Sequence, residues 1–397
     1  MVPRYPAGDV NLRQPHLVGR LQGFGTTVFA EMSALAERTG AINLGQGFPD
    51  RDGPRPVADA AVAAIRAGHN QYPPGPGTLD LRQAVAEHQR RFWGLEHDPH
   101  TEVLVTAGAT EAVTAAVLAL CETGDEILTF EPTYDSYGAA AAMAGASLRT
   151  VALHPPGFGF DVDELAAAVT PRTRLVLLNS PHNPTGKVFS GAELAQIARF
   201  CVDADLVALT DEVYEHIVFD GTHVPLASLP GMAERTLTVS SGGKTFSFTG
   251  WKIGWVCGRA ELVAAVRTAK QFLTYVNGAP FQPAVAVGLR LGDEYFDELR
   301  ADLQARRDLL CAGLGSAGFE VFVPSGTYFV TADIRPFGTD DGLAFCRSLP
   351  QRCGVIAIPC SAFYADPATG SHLVRFTFSK QTEVLRQAVD RLVELAP

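Results

Sequence analysis

The sequence contains little lysine. Only five of its 32 basic residues are lysines, so arginine supplies the positive charge at most positions. Two of the five, Lys244 and Lys252, stand eight positions apart in the stretch SSGGKTFSFTGWKIGW. A lysine amine can lose its proton and attack a carbonyl carbon, whereas a guanidinium stays protonated. We therefore expect Schiff-base chemistry at Lys244, which follows a predicted strand and two glycines. The alternative is a surface lysine in a turn.

The cysteine spacing also matches neither a disulfide framework nor a zinc site. Its seven cysteines are scattered, no two form a CxxC pair, and no cysteine–histidine group has zinc-finger spacing. An odd, scattered set is typical of reduced, mostly buried thiols in a cytoplasmic protein. We therefore predict a cytoplasmic location and no metal site.

Long apolar runs and excess positive charge are absent as well. No apolar run is long enough to span a membrane, and the first 15 residues have no apolar segment typical of a signal peptide. The net charge of −11 argues against a nucleic-acid or anionic-membrane surface. Small anionic ligands are not excluded, because local charge holds them. A length of 397 residues fits two domains.

The middle of the chain alternates short apolar, β-branched segments with alanine-rich helical segments. This pattern predicts a parallel sheet covered by helices on both faces. In such sheets ligands bind beyond the carboxyl ends of the strands. Asn183, Asp211 and Lys244 each follow a predicted strand, so we expect one site assembled from several loops. The predicted strands are 102–106, 126–130, 148–153, 174–179, 206–210 and 236–240.

The pattern changes from about residue 295. A long amphipathic helix is followed by the predicted strands YFVTADI, GVIAIP and HLVRFTFS and by a last helix at 382–395. These elements predict a smaller α+β domain, with a helix within 20–40 packed against it. Residues 1–19 are predicted to be a flexible N-terminal arm. Residues 20–48 together with 292–397 are predicted to form the small domain, and residues 49–291 the large domain.

Two motifs are incomplete. GGKT resembles the end of a P-loop, but Thr238 stands where that loop needs its first glycine. GQGFPD begins like a dinucleotide-binding fingerprint, but Asp50 replaces its third glycine and Pro49 would break the helix that the motif opens. We therefore expect neither a P-loop NTPase nor a dinucleotide site.

Other polar residues admit two interpretations each. Asp211 and Tyr214 in TDEVYEH are either a helix N-cap with a packed aromatic or a functional pair. NSPHNPTG holds the Asn183 amide rigidly between two prolines. Lys252 is either a surface lysine or the partner of a phosphate at the helix N-terminus that TAGATEA predicts. Arg375, in an apolar strand, needs a partner, which is either a structural carboxylate or a bound one.

Eight motifs, in order from about residue 20 to the C-terminus, together resemble those of the class I/II aminotransferases, which are pyridoxal-phosphate (PLP) enzymes of fold type I. The resemblance is strongest to the branch of kynurenine/glutamine, methionine and actinobacterial N-succinyldiaminopimelate aminotransferases. It implies an α/β fold with a mostly parallel seven-stranded sheet between helices, plus a smaller α+β domain. The motifs are NLGQGFPD, NQYPPGPG, VTAGATEA, EPTYDSY, NSPHNPTG, TDEVYEH, SSGGKTFSFTGWKIGW and HLVRFTF.

The resemblance implies roles around the cofactor ring. Lys244 would form the Schiff base with PLP and then move the substrate proton. Asp211 would pair with the protonated ring nitrogen, so that the ring withdraws electrons. Tyr214 and Asn183 would hydrogen-bond the ring oxygen, Asn183 also facing the substrate, and Tyr134 would stack on the ring.

The resemblance also implies a phosphate site and a homodimer. The phosphate would bind the backbone N–H groups of Ala109 and Thr110, the Ser241 hydroxyl and the Lys252 amine. Tyr72 would reach the phosphate of a second subunit, so that the two active sites of a homodimer are shared.

The substrate site follows from the same resemblance. Arg375 would form a bidentate pair with the α-carboxylate, assisted by the backbone of Gly47. Phe29 stands where kynurenine/glutamine-type relatives often carry a larger aromatic residue, and Thr110 stands where some of them have tyrosine, so we expect a roomier pocket that suits a long acyclic substrate. Tyr275 would line the entrance. Arg20 is a candidate for a distal carboxylate by position only, and its alternative is a surface arginine.

We therefore predict transamination between an L-amino acid and a 2-oxo acid, with glutamate and 2-oxoglutarate as one pair. The leading second substrate is N-succinyl-2-amino-6-oxopimelate of lysine biosynthesis. The alternative is a broad methionine, glutamine or kynurenine-type transaminase. A cysteine-conjugate β-lyase is a further alternative. A PLP-binding regulator would need a DNA-binding domain, for which we expect no room before residue 20.

Overall fold

The computed structural model describes residues 16–25 and 27–395, so most of the predicted N-terminal arm lies outside the described residues. The helices are α1 (Val28–Thr39), α2 (Arg55–Arg66), α3 (Leu79–Trp93), α4 (Gly108–Leu120), α5 (Asp135–Ala144), α6 (Val162–Ala168), α7 (Gly191–Asp203), α8 (Gly242–Thr245), α9 (Ala260–Lys270), α10 (Phe281–Leu289), α11 (Asp293–Ser316), α12 (Gly342–Arg352) and α13 (Thr382–Val393). Within the described ranges, no helix is long and apolar enough to cross a membrane.

Three sheets accompany these helices in the described part of the chain. The strands are β1 (Ile42–Asn43), β2 (Val103–Thr106), β3 (Glu126–Glu131), β4 (Ser147–Ala152), β5 (Thr173–Asn179), β6 (Val207–Asp211), β7 (Thr236–Ser241), β8 (Gly254–Gly258), β9 (Glu320–Phe322), β10 (Phe329–Asp333), β11 (Val355–Ile356), β12 (Ile358–Pro359) and β13 (Leu373–Thr377). Short 3₁₀ turns occupy Gly19–Leu21, Leu226–Ser228, Thr249–Trp251, Arg335–Phe337 and Cys360–Phe363.

The largest sheet has seven strands in the order β2-β8-β7-β6-β5-β3-β4. The five strands from β7 to β4 are parallel, and β8 runs antiparallel to both of its neighbours. This arrangement confirms the predicted mostly parallel seven-stranded sheet. Strand β8 was not predicted, because its sequence, GWVCG, begins and ends with glycine and follows the lysine-bearing motif directly.

Both faces of this sheet are covered, which explains its nearly continuous apolar strands. Along β5, Leu175 and Leu177 pack in the cluster formed with α4, α5 and α9. Val176 and Leu178, which follow Leu175 and Leu177 directly in the chain, join the larger cluster on the opposite face. Successive side chains of a strand point to opposite faces, so a strand covered on both sides must be apolar at every position.

The C-terminal part forms a four-stranded antiparallel sheet in the order β12-β13-β10-β9, with α11 packed against α13 and β9. Strand β1 pairs in parallel with β11, which joins the segment after α1 to the same region. This organisation agrees with the predicted α+β character of the C-terminal part. The domain boundaries at residues 20, 48 and 292 stay predictions.

The ends of three adjacent strands position the site. In the ladder β5-β6-β7, Asn179 aligns with Asp211 and Asp211 aligns with Val239, so the carboxyl ends of these strands lie side by side. Lys244 follows β7 within the single turn α8, which the Ser241 hydroxyl caps by accepting from the Gly243 N–H at 3.2 Å. A turn, not a helix, follows Asp211, so the alternative interpretation of Asp211 as a helix N-cap is wrong.

Candidate active site

A cavity of about 470 Å³ opens where these strand ends meet the small sheet. Side chains from α1, from the carboxyl ends of β5, β6 and β7 and from the central strand β13 line it, together with the N-terminal turns of α4 and α5. Twelve of the fourteen predicted site residues line this cavity: Phe29, Gly47, Ala109, Thr110, Tyr134, Asn183, Asp211, Tyr214, Ser241, Lys244, Lys252 and Arg375.

Lys244 lies half-buried in this cavity. Its Nζ atom is 5.9 Å from the ring centroid of Tyr214 and 5.6 Å from that of Tyr328. The amine therefore lies between two aromatic rings of the cavity wall. Sequence reasoning missed Tyr328, which is the first residue of the predicted strand YFVTADI.

Asp211 is buried at the end of β6, a central strand of the large sheet. The Tyr137 hydroxyl donates to its Oδ2 at 2.7 Å. Burial raises the pKa of the Asp211 carboxyl, and the hydrogen bond from Tyr137 and the charge of Lys244 oppose that rise. The carboxyl is therefore desolvated and gains from any cation placed beside it. Sequence reasoning missed Tyr137, although it is the second tyrosine of EPTYDSY.

Tyr214 and Tyr134 contribute two more aromatic surfaces to the cavity. Tyr214 is buried, with its ring edge-on to that of Tyr328 at 5.1 Å between centroids. Burial, followed by the neighbouring Tyr328, raises the pKa of its phenol well above the usual value, so it stays a hydroxyl donor. Tyr134 precedes the first turn of α5, and burial raises its pKa to about 12.

Arg375 is 1% exposed on β13, yet no carboxylate in the described part of the chain forms a salt bridge with it. Its guanidinium donates to Asn183 Oδ1 at 2.9 Å and to the Gly45 carbonyl at 2.9 Å. Its Nε atom is buried without a hydrogen-bond partner. The structure therefore contradicts the interpretation that a structural Asp or Glu neutralises Arg375 within the described residues.

Aromatic rings surround the same guanidinium. Its central carbon lies 4.0 Å from the ring centroid of Phe329, 5.1 Å from that of Phe363 and 5.2 Å from that of Phe29. These rings exclude water, and burial lowers the pKa of the guanidinium. A cation held in a place this dry binds a carboxylate far more strongly than an exposed arginine would.

The opposite end of the cavity is an anion site. Ala109 and Thr110 begin α4, whose first N–H groups have no intrahelical acceptors. Gly108, at φ 77°, turns the chain into this helix, and a Cβ atom at Gly108 would lie 3.3 Å from Lys252 Nζ. The Ser241 hydroxyl lines the same end. Two helical N–H groups, a hydroxyl and an ammonium therefore converge where an anion would bind.

Two of the fourteen predicted site residues, Tyr72 and Tyr275, do not line the cavity of the single chain, and neither does the further candidate Arg20. Tyr72 is 82% exposed, and its ring contacts that of Tyr275 at 5.6 Å between centroids. Tyr72 lines a separate surface depression, and neither tyrosine is among the residues that line the cavity of the single chain. Arg20 is exposed in the 3₁₀ turn before α1 and is not among the lining residues.

Histidine and carboxylate side chains also cluster outside this cavity. His88, Glu215 and His216 bring one donor atom each within 4.8 Å of the others. The two imidazoles hydrogen-bond each other through their Nε2 atoms at 2.7 Å. Both Glu215 oxygens accept hydrogen bonds at 2.6 Å, one from Trp93 and one from Ser240. The two Nε2 atoms and both Glu215 oxygens are therefore already used in hydrogen bonds.

The cavity supports chemistry between amines and carbonyls on substrates that carry a carboxylate. An α/β sheet that ends beside a cavity lysine, next to a small sheet that presents a desolvated arginine, has the PLP fold type I architecture. Residues 39–392 match the family Aminotransferase class I and II. The chain belongs to this family and is an aminotransferase.

Individual relatives agree with this assignment. A Mycobacterium tuberculosis protein named Probable N-succinyldiaminopimelate aminotransferase DapC is 59% identical over 391 residues, 96% of this chain and 98% of that protein. The methionine aminotransferase of Escherichia coli is 41% identical over 377 residues, 95% and 97% of the two chains. A solved structure of N-succinyldiaminopimelate aminotransferase from Mycobacterium tuberculosis has a TM-score of 0.93 at 59% identity, covering 96% of this chain and 100% of that one.

Proposed function

We propose that the chain is a PLP-dependent aminotransferase whose amino-acid substrate binds Arg375 beside Lys244. The observation that carries the proposal is the Arg375 guanidinium, which lies in the same cavity as Lys244 and, among the described residues, forms no salt bridge. A desolvated cation needs a partner, and the α-carboxylate shared by amino acids and 2-oxo acids supplies one. Glutamate and 2-oxoglutarate form one substrate pair.

The hydrogen-bonding and charged groups of the cavity match the chemical groups of PLP. The N–H groups at the start of α4, with Ser241 and Lys252, match a phosphate. The desolvated Asp211 carboxylate matches a protonated pyridine nitrogen, and Lys244 lies in the same cavity. When bound, PLP supplies an aldehyde that bonds to amines and a ring that withdraws electrons from the substrate.

Hydrogen bonds within the site support the remaining roles. Asn183 Oδ1 accepts from Arg375, so the N–H groups of its amide are left to donate to the ring oxygen. The Tyr214 hydroxyl, whose pKa is raised, is the second donor to that oxygen. Tyr134 covers one face of the ring. The Tyr328 hydroxyl donates to the Gly47 carbonyl at 2.6 Å and thereby fixes the backbone next to the substrate carboxylate.

Lys244 performs the proton transfer. With PLP bound, the free Nζ of Lys244 would take the proton from the substrate α-carbon and hold it for transfer to the cofactor. A neutral amine is required for this step, and the Nζ atom lies between the rings of Tyr214 and Tyr328. Arg375 holds the α-carboxylate, so the α-carbon stays within reach of Nζ.

The second substrate is N-succinyl-2-amino-6-oxopimelate, the acceptor whose product is N-succinyldiaminopimelate. The 59% identity to the Mycobacterium tuberculosis relative over nearly the whole of both chains supports this choice. The cavity volume of about 470 Å³ accommodates a long acyclic chain. A methionine-type specificity is the second candidate, because the Escherichia coli relative shares 41% of its residues with this chain.

The active unit is a homodimer in the cytoplasm. Tyr72 and Tyr275 form an exposed aromatic pair, with the 83% exposed Phe272 in the same loop as Tyr275. Large exposed aromatic side chains that adjoin one another are typical of subunit interfaces. Tyr72 and Tyr275 would then contribute to the active site of the second subunit.

The proposal is tested by mixing purified holoenzyme with one amino donor at a time, without acceptor, and following the visible absorbance of the bound cofactor. The donors are N-succinyl-LL-diaminopimelate, glutamate, methionine, glutamine and kynurenine. Rapid loss of absorbance with the first two alone supports the proposed substrates. Equal loss with methionine, glutamine or kynurenine favours the broad transaminase.

Two further results would change the assignment. Release of pyruvate and ammonia from a cysteine conjugate, without an acceptor, would identify a β-lyase. A purified protein with no visible absorbance after incubation with PLP would contradict the proposed cofactor. The Lys244→Ala variant is the matched control, since it keeps the rest of the cavity and lacks the reacting amine.

A further inference from the structure

The Asn277 side chain bridges the two backbone segments that carry the anion site. Its Nδ2 atom donates to the Thr106 carbonyl at 3.1 Å and to the Lys252 carbonyl at 3.1 Å. Thr106 ends β2 and is followed by the turn into α4, whereas Lys252 lies just before β8. Both hydrogens of one amide are therefore used to join these two segments.

The position of this bridge explains why it is needed. Strands β2 and β8 are antiparallel neighbours, and Thr106 opposite Gly254 is the last pair of their ladder. Beyond this pair the strands diverge, so their carbonyls have no partner strand to bond. The Asn277 amide supplies those hydrogen bonds and holds the diverging segments at a fixed separation.

Lys252 needs this support because its backbone is left-handed, at φ 53° and ψ 48°. Residues with a Cβ atom rarely adopt this conformation, and it persists only where the surroundings enforce it. In this conformation the side chain turns toward Gly108, whose added Cβ would lie 3.3 Å from Lys252 Nζ. The direction of the amine toward the anion site therefore depends on a backbone geometry that Asn277 stabilises.

A second contact joins the same loop to the anion site. Glu111, on α4, accepts from the Ala107 N–H at 2.6 Å with one oxygen. Its other oxygen accepts from the Thr274 hydroxyl at 2.5 Å. Gln282 holds the Asn277 carbonyl through a 2.7 Å hydrogen bond from its own amide. The loop that contains Thr274 and Asn277 is thus fixed to the turn before α4 at two points.

The orientation of the Asn277 amide is determined by these contacts. Rotating it by half a turn would place Oδ1 against two carbonyl oxygens, so the amide nitrogen must face them. Its Oδ1 atom is then buried without a hydrogen-bond partner among the described residues. Leaving a buried acceptor unsatisfied is unfavourable, and a site keeps such an acceptor only where the donor contacts matter more.

We propose that Asn277 is a positioning residue for the cofactor phosphate: it sets the separation of the α4 N-terminus and Lys252 to the size of a phosphate group. The inference rests on the proposed function, since it takes PLP as the ligand of the cavity. Asn277 acts through Lys252 and the α4 turn, without a contact of its own to the reacting atoms.

The test compares PLP with pyridoxal, which has the same ring and aldehyde without the phosphate. Dissociation constants are measured by fluorescence titration of cofactor-free protein in the Lys244→Ala background, where no covalent bond contributes. We expect Asn277→Ala to weaken PLP binding about tenfold and to leave pyridoxal binding unchanged. Asn277→Asp should weaken PLP binding further, because a carboxylate would then face two carbonyl oxygens.

Thr268→Ala is the matched control. The exposed Thr268 hydroxyl donates to a backbone carbonyl of α9 at 3.0 Å, so this substitution also deletes a side-chain-to-backbone hydrogen bond shortly before the loop. It should change neither dissociation constant. Thermal melting of each cofactor-free variant establishes that the proteins compared are folded.

Two outcomes overturn the inference. PLP affinity within twofold of the parent would show that Asn277 does not position the phosphate site. An equal weakening for PLP and pyridoxal would show a general structural role. The proposed function fails separately, because in that case the parent protein itself would not bind PLP.

Discussion

The Arg375 guanidinium donates to Asn183 Oδ1 at 2.9 Å, and this contact joins the central strand of the small sheet to the turn beyond β5 of the large sheet. Asn183 is itself placed by Asn179, whose Oδ1 accepts its backbone N–H at 2.7 Å. Asn179 also donates to the Asp211 carbonyl at 2.8 Å. A continuous set of hydrogen bonds therefore relates the proposed carboxylate site to the proposed cofactor site.

Removing the guanidinium should impair substrate binding and spare the cofactor. We expect Arg375→Ala to lower kcat/KM for amino donors about 100-fold or more, mainly through KM, because a desolvated charge pair is lost. The visible absorbance of bound cofactor should be unchanged. Arg375→Lys should be intermediate, since it keeps the charge and loses the bidentate geometry.

The matched control for this prediction is Arg347→Ala, because Arg347 is exposed and pairs with Glu31 on the surface. An unchanged KM in Arg375→Ala, with normal folding, would assign Arg375 a structural function. Steady-state kinetics with glutamate as donor decides between the two results.

Replacing Lys244, the proposed reactive lysine, should abolish turnover. Lys244→Ala removes both the nucleophile and the proton carrier, so we expect kcat to fall at least about 10³-fold. PLP should still bind through Asp211, Ser241 and Lys252. Lys244→Arg should be equally inactive, since a guanidinium does not lose its proton at neutral pH. Near-normal turnover by either variant would contradict the assignment of Lys244.

A buried histidine should make stability fall in acid. Burial lowers the pKa of His88 to about 3, against 6.5 when exposed. Above pH 6.5 the imidazole is neutral in both the folded and the unfolded chain. At lower pH only the unfolded chain takes up a proton, so the free energy of unfolding decreases as pH falls toward 3. Between pH 6.5 and pH 5 the loss is about 2 kcal/mol. Urea unfolding of His88→Gln should show a shallower decline over this interval.

Glu215 should make the stability of the protein fall as pH rises. Burial raises its pKa to about 7, against 4.5 when exposed. The contribution of Glu215 to the free energy of unfolding is therefore complete below pH 4.5 and is lost as pH rises through 7. Between these values the folded state holds a proton that the unfolded chain has released. Glu215→Gln should lose less stability than the parent between about pH 5 and about pH 8. A parallel decline of variant and parent would contradict the raised pKa.

The cysteines should be inert in the native protein. All seven are free and buried in the structure, which confirms the sequence-based prediction of reduced, mostly buried thiols. Burial also raises the pKa of several, for example that of Cys121 to about 11 and that of Cys201 to about 12. Thiolates are the reactive form, so an aromatic disulfide reagent should titrate no thiol before unfolding and all seven afterwards. Rapid native labelling would contradict this burial.

Local sequence patterns determined the elements of the large sheet. The apolar runs that end before Asn183, Asp211 and Lys244 are strands within one or two residues of the predicted bounds, because fully buried strands must be apolar on both faces. The rule that ligands gather at the carboxyl ends of parallel strands then placed these three residues at one cavity. The family and its class of reaction also follow from motifs that are contiguous in the chain.

Only the tertiary structure decided which distant residues meet. Arg375 and Asn183 are 192 positions apart, and the absence of a salt bridge to Arg375 among the described residues is a property of packing, not of any local pattern. Tyr328 and Asn277 have no distinctive signal in the sequence, because aromatic and amide side chains are common in cores and loops, and Tyr137 lies in a motif that does not show its contact with Asp211. Their positions depend on how the two sheets and the loop after α9 pack together, and a linear pattern does not contain that information.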